Sequence, residues 1–495
     1  MRRAMDRDTF RIENLGCRAN VHDGEVMRAA LLARGLREVG PREAAGLVIV
    51  NSCAVTDAAD RESVRIASRS ARRDPATRVV VTGCGAEVDP EGMALTPGVR
   101  WVVGNQDKAD LVARVLDAAA AGEGTGGAAI LGGVAPYGAM RARHPTDRRW
   151  PRGVAAFPPL PAAGGHTRAF LKVQEGCDAF CTFCVIPYAR GPARSLDADV
   201  VVARVATLVA AGARELVLTG TALGDWGADL PGAPPLSALI ERVLAETDAP
   251  AVRLGSLEPP ELTPALLALL RDEPRLRPHV HLSLQSPDAG VLRRMKRRYA
   301  PDAAERALEA LAGLAGHLVR TRGLAGGVFV GMDLITGFPG ESEAIFAAGL
   351  ERLCALPWTR LHVFPYSERA GTAATRLDGV VPPAERKRRV AALVALSNAR
   401  VVERAEALVT AGAPIEVLVE GRPLGGGPGL AGGHTPNYYA VAFPDPAPGR
   451  LRNRDVRVIP ESVALHLRSG NALVHGRLAD PIDFAEGVPN PPQRT

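Results

Sequence analysis

The run Cys177-Asp178-Ala179-Phe180-Cys181-Thr182-Phe183-Cys184 sets three thiols on one short stretch directly behind a strand-like segment, Phe170–Val173. Three thiolates on one loop can each ligate a different iron of a cubane cluster, and thiolate coordination is the usual way such clusters are held. No fourth cysteine stands nearby. Cys354 is far downstream in the apolar Leu353-Cys354-Ala355-Leu356, where packing accounts for it. One iron would therefore stay open to a ligand. The alternative is structural zinc, which prefers four closed ligands, commonly from paired Cys-x2-Cys elements.

The sequence around this loop alternates. Between 166 and 405, strand-like runs at Phe170–Val173, Glu215–Thr219, Ala251–Leu254, His279–Leu284, Gly327–Ile335 and Arg360–Phe364 are separated by helical stretches such as Asp199–Ala211 and Pro301–Ala315. Six such units predict a full or partial β/α barrel, whose chemistry gathers at the carboxyl ends of its strands.

Residues 9–115 alternate too, with strand-like Thr9–Glu13, Leu47–Asn51 and Arg78–Thr82. Helical patterns run from about His22 to Arg34 and, behind Thr56 as N-cap, to Arg72. This predicts a parallel α/β domain. Cys17, Cys53 and Cys84 stand at or just beyond the ends of those three strands. Loops after parallel strands emerge along one edge, so the three cysteines converge without a local motif. Gly16, Gly83 and Gly85 beside them let backbone approach a bulky cofactor. A second three-thiolate cluster is the expectation, with zinc or a redox-active thiol pair as alternatives.

Residues 116–165 change character and read as a linker, in which Arg141, Arg143, Arg148, Arg149 and Arg152 surround Trp150 as a solvated basic run or an RNA contact. Strand-like Pro414–Glu420, Asn437–Phe443 and Asp455–Pro460, divided by glycine- and proline-rich turns, predict a small all-β barrel over 411–466 and a loose tail over 467–495. The basic run from Arg293 to Arg298 is expected at a helix end, with RNA contact an open possibility. A net charge of +6 over 495 residues is mild, so it permits a nucleic-acid partner without demanding one. No long apolar run appears and the start, Met1-Arg2-Arg3-Ala4, lacks an apolar core, which predicts a cytoplasmic chain with no membrane partner. Seven cysteines, an odd number, argue against a disulfide framework.

Read together, these segments resemble the radical-SAM methylthiotransferases over residues 9–465, the MtaB-type tRNA enzymes most closely. The resemblance is carried by Leu15-Gly16-Cys17-Arg18-Ala19-Asn20, Asn51-Ser52-Cys53-Ala54-Val55-Thr56 and Thr82-Gly83-Cys84, and by Lys172 to Cys177 leading on to Val185-Ile186-Pro187-Tyr188-Ala189-Arg190-Gly191. Further matches are Leu218-Thr219-Gly220-Thr221, Ser256-Leu257-Glu258-Pro259, Leu284-Gln285-Ser286, Gly337-Phe338-Pro339-Gly340-Glu341 and Phe364-Pro365-Tyr366-Ser367. The chain departs from the family pattern at Pro287-Asp288, Gly85-Ala86-Glu87, Ala193 and Leu196, and keeps all six cysteines.

The resemblance implies an N-terminal parallel α/β domain, a radical-SAM barrel of partial TIM type and a C-terminal all-β TRAM barrel. It implies two 4Fe–4S clusters and S-adenosyl-L-methionine (SAM) as cofactors. Cys177, Cys181 and Cys184 would hold the cluster at which SAM is cleaved reductively. Cys17, Cys53 and Cys84 would hold the cluster carrying the sulfide to be methylated and transferred. Thr219, Gly220, Glu258 and Gln285 would contact SAM. Cys53-Ala54-Val55-Thr56 is more similar to the threonylcarbamoyladenosine enzymes than to the isopentenyladenosine ones. The implied product is therefore 2-methylthio-N6-threonylcarbamoyladenosine at tRNA position 37, an unpaired base of the anticodon loop that a protein can splay out. Arg450, Arg452, Arg454 and Arg457 would contact phosphates. An electron donor such as flavodoxin or ferredoxin is implied; no sulfur donor is. Two other readings fit parts of the same sequence: methylthiolation of a ribosomal-protein aspartate, and a non-catalytic RNA-binding iron–sulfur sensor, which would have no use for the SAM-like strand-end motifs.

Overall fold

A computed structural model describes residues 8–124, 127–133, 150, 156–160, 167–420, 429–466 and 469–480. Arg141, Arg143, Arg148, Arg149, Arg152 and residues 481–495 lie outside the described residues.

Six strands build the first sheet: β1 (Thr9–Asn14), β2 (Arg37–Glu38), β3 (Leu47–Ser52), β4 (Arg78–Gly83), β5 (Val99–Val103) and β6 (Ala129–Leu131). All pair in parallel, in the order β2-β1-β3-β4-β5-β6. The central β3, Leu-Val-Ile-Val-Asn-Ser, is buried throughout, as a parallel strand covered on both faces must be. Two apolar clusters sit on the two faces, one around Phe10, Ile49 and Trp101, the other around Val48, Val50 and Val81. Thr56 caps the helix Asp57–Arg73 by accepting from Ala59 N–H at 3.2 Å. The sheet runs on through β6, so the first domain extends past 115 into the segment expected as a linker. That segment is also not uniformly solvated. Phe157 is buried in the barrel core and Trp150 lies against Gly191, under the Arg194 guanidinium.

The second unit begins with β7 (Arg168–Lys172) and the short antiparallel pair β8 (Gln174–Glu175) and β9 (Arg194–Ser195). It continues through β10 (Glu215–Thr219), β11 (Val252–Leu254), β12 (Ser256–Leu257), β13 (His279–Gln285), β14 (Phe329–Thr336) and β15 (Arg360–Pro365). The main strands form two parallel sheets, β7-β10-β11 and β12-β13-β14-β15, which meet at Gly255 between β11 and β12. This is a partial barrel of six strand tracks. Its outer face packs on helices through residues such as Val280, Leu282, Leu284 and Met332. Its inner face is polar. The alternate residues His279, His281 and Gln285 of β13, Asp333 of β14, and Arg360 and His362 of β15 all line the interior.

A helix of 29 residues, Pro383–Ala411, then leads to a closed five-stranded barrel of β16 (Ile415–Val419), β17 (Leu430–His434), β18 (Ala440–Pro444), β19 (Asp455–His466) and β20 (Asn471–Leu478). β20 pairs with both β18 and β19 and closes the barrel, so the barrel continues into the segment expected as a tail from 467. Closure needs partners distant in sequence, which the local pattern of Asn471–Leu478 does not announce. The small barrel covers the amino-terminal ends of the larger one. Arg168 pairs with Glu420 at 2.8 Å, and the Asn437 amide donates to the carbonyls of Ala325 and Gly327 at 2.9 Å.

Candidate active site between two cysteine triads

Cys17 follows β1 closely, Cys53 follows β3 directly and Cys84 follows β4 directly; these three strands are neighbours in the sheet. The three thiols therefore gather at one edge. Gly16 has φ +84°, and a Cβ there would lie 2.5 Å from Cys53 Sγ, so only glycine lets the two loops meet this closely. Burial, then the neighbouring Cys84, pushes the Cys53 thiol up to about 12.

The second triad lies on the loop after β8. Phe180 takes φ +47° within it, a conformation that turns the chain between Cys177 and Cys181. Ala179 N–H donates to Cys177 Sγ and Ile186 N–H to Cys184 Sγ, each at 3.4 Å. Burial pushes Cys177 up to about 11 and Cys184 higher still. Clustered, buried thiols of this kind cannot ionise together without a compensating cation. Iron supplies one, and coordination deprotonates the thiol outright. Among the described residues no three His, Cys, Asp or Glu side chains converge on a single metal ion. Three thiolates that each take a separate iron of a cubane need no such convergence, so the donor set fits a cluster better than a zinc ion.

Each triad has an arginine on one sulfur. Arg297 Nη1 lies 3.2 Å from Cys181 Sγ, and its Nη2 pairs with Glu258 at 2.7 Å. Arg190, from the barrel, reaches across to the first domain: Nε lies 3.2 Å from Cys84 Sγ, Nη1 2.6 Å from Glu175 and Nη2 2.6 Å from Asn20. Asn105 adds its amide to Cys84 at 3.4 Å. Arg190 belongs to a buried chain of charges, Lys108–Asp23–Lys172–Glu175–Arg190, that ties the two domains together. Three cations face two carboxylates, and the surplus is aimed at Cys84. Burial opposes the charge on Glu175, but Arg190 and Lys172 hold its carboxyl down at about 2.

A cavity of about 670 Å³ opens between the domains. Cys17 and Cys53 line it from the first domain, and Phe183, Thr219, Gly220 and Gln285 from the barrel's carboxyl edge. Gln285 is held at φ +64°, an unusual conformation for a residue with a side chain and one that clusters at functional positions. Glu258 does not line this cavity. Its carboxylate is committed to Arg297, through which it bears on Cys181. The floor comes from the small barrel, with Tyr438 and Tyr439.

Several residues here were not singled out from the sequence as site residues: Arg297, whose basic run was expected at a helix end with RNA contact open, Glu261, and the inward histidines. Of that run, Arg294 and Arg298 also turn to protein acids, Asp378 and Asp225. Gly224 leaves room for the Glu261 carboxyl, which accepts from Glu258 N–H at 2.7 Å and is pushed up to about 8, chiefly by burial. Polar residues at every second position of β13, and Arg360 and His362 at alternate positions of β15, were the signal for the histidines.

Two family models match the chain: an uncharacterized protein family, UPF0004, over residues 9–104, and the radical SAM superfamily over residues 171–352. Among curated relatives, the threonylcarbamoyladenosine tRNA methylthiotransferase MtaB of Aquifex aeolicus is 34% identical over 78% of this chain and 87% of its own. The MtaB of Bacillus subtilis is 32% identical over 88% and 90%. A tRNA-2-methylthio-N(6)-dimethylallyladenosine synthase of Sorangium cellulosum is 35% identical over 86% and 84%. No helix among the described residues is long and apolar enough to cross a membrane. With both domains matched and relatives aligned over most of their length, the chain belongs to the radical-SAM methylthiotransferase family, MtaB-type members included, and is a transferase that works with SAM and iron–sulfur clusters.

Proposed function

We propose that this enzyme methylthiolates carbon 2 of N6-threonylcarbamoyladenosine at position 37 of tRNA, in the anticodon loop. The observation that carries the reading is a cavity lined by Cys17 and Cys53 of the first triad and by Phe183 from the loop of the second, which gives one substrate access to both cofactor sites. Relatives named for threonylcarbamoyladenosine and for dimethylallyladenosine match about equally well, and both act on tRNA by name. The polar, cationic lining around Arg18 and Arg360 favours the charged base over the apolar one.

On this reading Cys177, Cys181 and Cys184 hold one 4Fe–4S cluster, and Cys17, Cys53 and Cys84 the other. Together with SAM, the clusters supply the radical chemistry and the sulfur that an aromatic carbon–hydrogen bond requires, since it offers no acidic proton. The chain's own residues bind and orient. Thr219, Gly220 and Gln285 form the wall on which SAM lies. Arg297 and Arg190 donate to one thiolate of each triad, which stabilises the negative charge of the ligand sets. Tyr438 and Tyr439 close the far end against water. The small barrel is read as a TRAM domain whose Arg450, Arg452, Arg454 and Arg457 meet RNA phosphate, and the reductant as a flavodoxin or ferredoxin.

The test is mass spectrometry of tRNA nucleosides from cells with and without the gene. Loss of 2-methylthio-N6-threonylcarbamoyladenosine, with its precursor accumulating, is the expected result. An unchanged nucleoside profile rejects the assignment and directs attention to ribosomal-protein masses; loss of the dimethylallyl product instead moves the substrate to that base.

A further inference from the structure

We propose that Arg18 and Arg360 form a carboxylate-binding site within the cavity and that its ligand is the threonyl carboxylate of the substrate base. The inference rests on the substrate reading above and adds to it the residues that recognise the substrate.

Arg18 follows Cys17 in the chain, and its side chain leaves the first domain to enter the partial barrel. Its Nη1 lies 3.4 Å from Leu254 O. Among the described residues no carboxylate stands within ion-pair distance of it. Its neighbours are already matched: Arg253 forks onto Glu215 at 2.7 and 2.8 Å, and Arg168 pairs with Glu420 at 2.8 Å. Arg360, from the start of β15, donates to Ser469 O and likewise has no carboxylate partner among the described residues. Both guanidiniums line the same cavity, and His362 and Tyr438 feel the charge of each.

Among the described residues of the cavity no carboxylate pairs with either guanidinium. The cavity's own carboxylate, Asp333, is engaged with His281 at 2.9 Å. Burial, with His281 and Arg360, holds His362 near 4, so it is a neutral neighbour at pH 7. Two half-buried cations without a paired carboxylate are costly, and a carboxylate that accepts from both offsets the cost.

The chemistry of the base selects the ligand. A threonylcarbamoyl group ends in a carboxylate, whereas a dimethylallyl group carries no charge. Carbon 2 of adenine and carbon 6, which bears the N6 substituent, are separated by a single ring nitrogen. A base with carbon 2 towards Cys17 and Cys53 therefore projects that substituent into the cavity Arg18 occupies. SAM also carries a carboxylate, so the test must separate the two sources.

The full chain, free of cofactors, is titrated into labelled anticodon stem-loop RNAs bearing at position 37 threonylcarbamoyladenosine, its neutral carboxamide, dimethylallyladenosine or adenosine, with anisotropy as readout. The wild type is expected to prefer the carboxylate over the carboxamide by about tenfold or more, as a charge-assisted pair implies. Arg18→Gln and Arg360→Gln should each erase most of that preference, and Arg18→Lys should restore part of it. Binding of S-adenosylhomocysteine to Arg18→Gln, measured by calorimetry, should match the wild type. Equal wild-type binding of carboxylate and carboxamide overturns the proposal whether or not the variants fold. So does a preference that survives both glutamine substitutions, or a loss confined to S-adenosylhomocysteine. If instead the reconstituted wild type modifies only the dimethylallyl RNA, the functional reading itself has failed.

Discussion

Arg190 Nε lies 3.2 Å from Cys84 Sγ, joining residues 106 positions apart and two different domains. The same guanidinium meets Glu175 and Asn20, so one side chain serves a cysteine of one triad and the strand pair that leads into the other. Arg190→Gln keeps some hydrogen bonding but removes the cation from a buried network. Breaking such a pair costs about 3–5 kcal/mol. The expected outcome is a markedly lower thermal midpoint together with reduced iron retention, read by calorimetry and iron analysis on the same sample; an unaltered midpoint would show that the network is not what ties the domains.

The two triads predict separable iron. Anaerobically reconstituted wild type should hold about eight irons per chain, and Cys53→Ala about four, because a two-thiolate site no longer retains its cluster. Cys181→Ala should lose the other four and, with them, SAM cleavage. Iron and labile-sulfide counts check both variants, and a full complement in either would refute the assignment of that triad.

Gly16 offers a subtler probe. In Gly16→Ala the new methyl falls 2.5 Å from Cys53 Sγ at a backbone φ of +84°. The left-handed conformation alone costs about 1–2 kcal/mol. The collision should displace Cys53, so the iron count falls by about four while circular dichroism stays that of a folded chain.

Acid should loosen the domain interface in two stages. His22 sits at 0% exposure with Nδ1 3.0 Å from Phe170 O, and burial, then Lys172, lowers it from 6.5 to about 4. Its folded value lies below its unfolded one, so the unfolded chain takes up the proton first and stability falls as pH drops from 6.5 towards 4, by roughly 3 kcal/mol. Glu175, held at about 2, contributes stability that is present above its ordinary value of 4.5 and is lost as pH falls from there towards 2. Urea unfolding at a series of pH values checks this, and His22→Asn should flatten the slope between 6.5 and 4 while leaving the lower stage.

Local chemistry made much of this protein legible in the sequence. The Cys177–Cys184 loop declares itself because its three ligands are neighbours in the chain. The run Leu47–Ser52 reads as a buried parallel strand because β-branched residues fill both its faces. Thr56 reads as a cap because capping is a contact over a few residues. Even Cys17, Cys53 and Cys84 could be grouped, since strand direction in a parallel sheet fixes which loops share an edge.

The tertiary structure decided what depends on partners remote in sequence. β20 closes a barrel only because β18 and β19 lie ready on either side of it. Arg297 and Arg298 read only as part of a basic run at a helix end, yet the fold turns Arg297 onto Cys181 and Glu258 and Arg298 onto Asp225. Arg18 and Arg360 carry no local signal until the domains bring them into one cavity in which, among the described residues, no carboxylate pairs with either. Side-chain identity fixes what a residue can do within a few ångströms of its own backbone; which charges are buried, and which are left unpaired, is a property of the assembled domains.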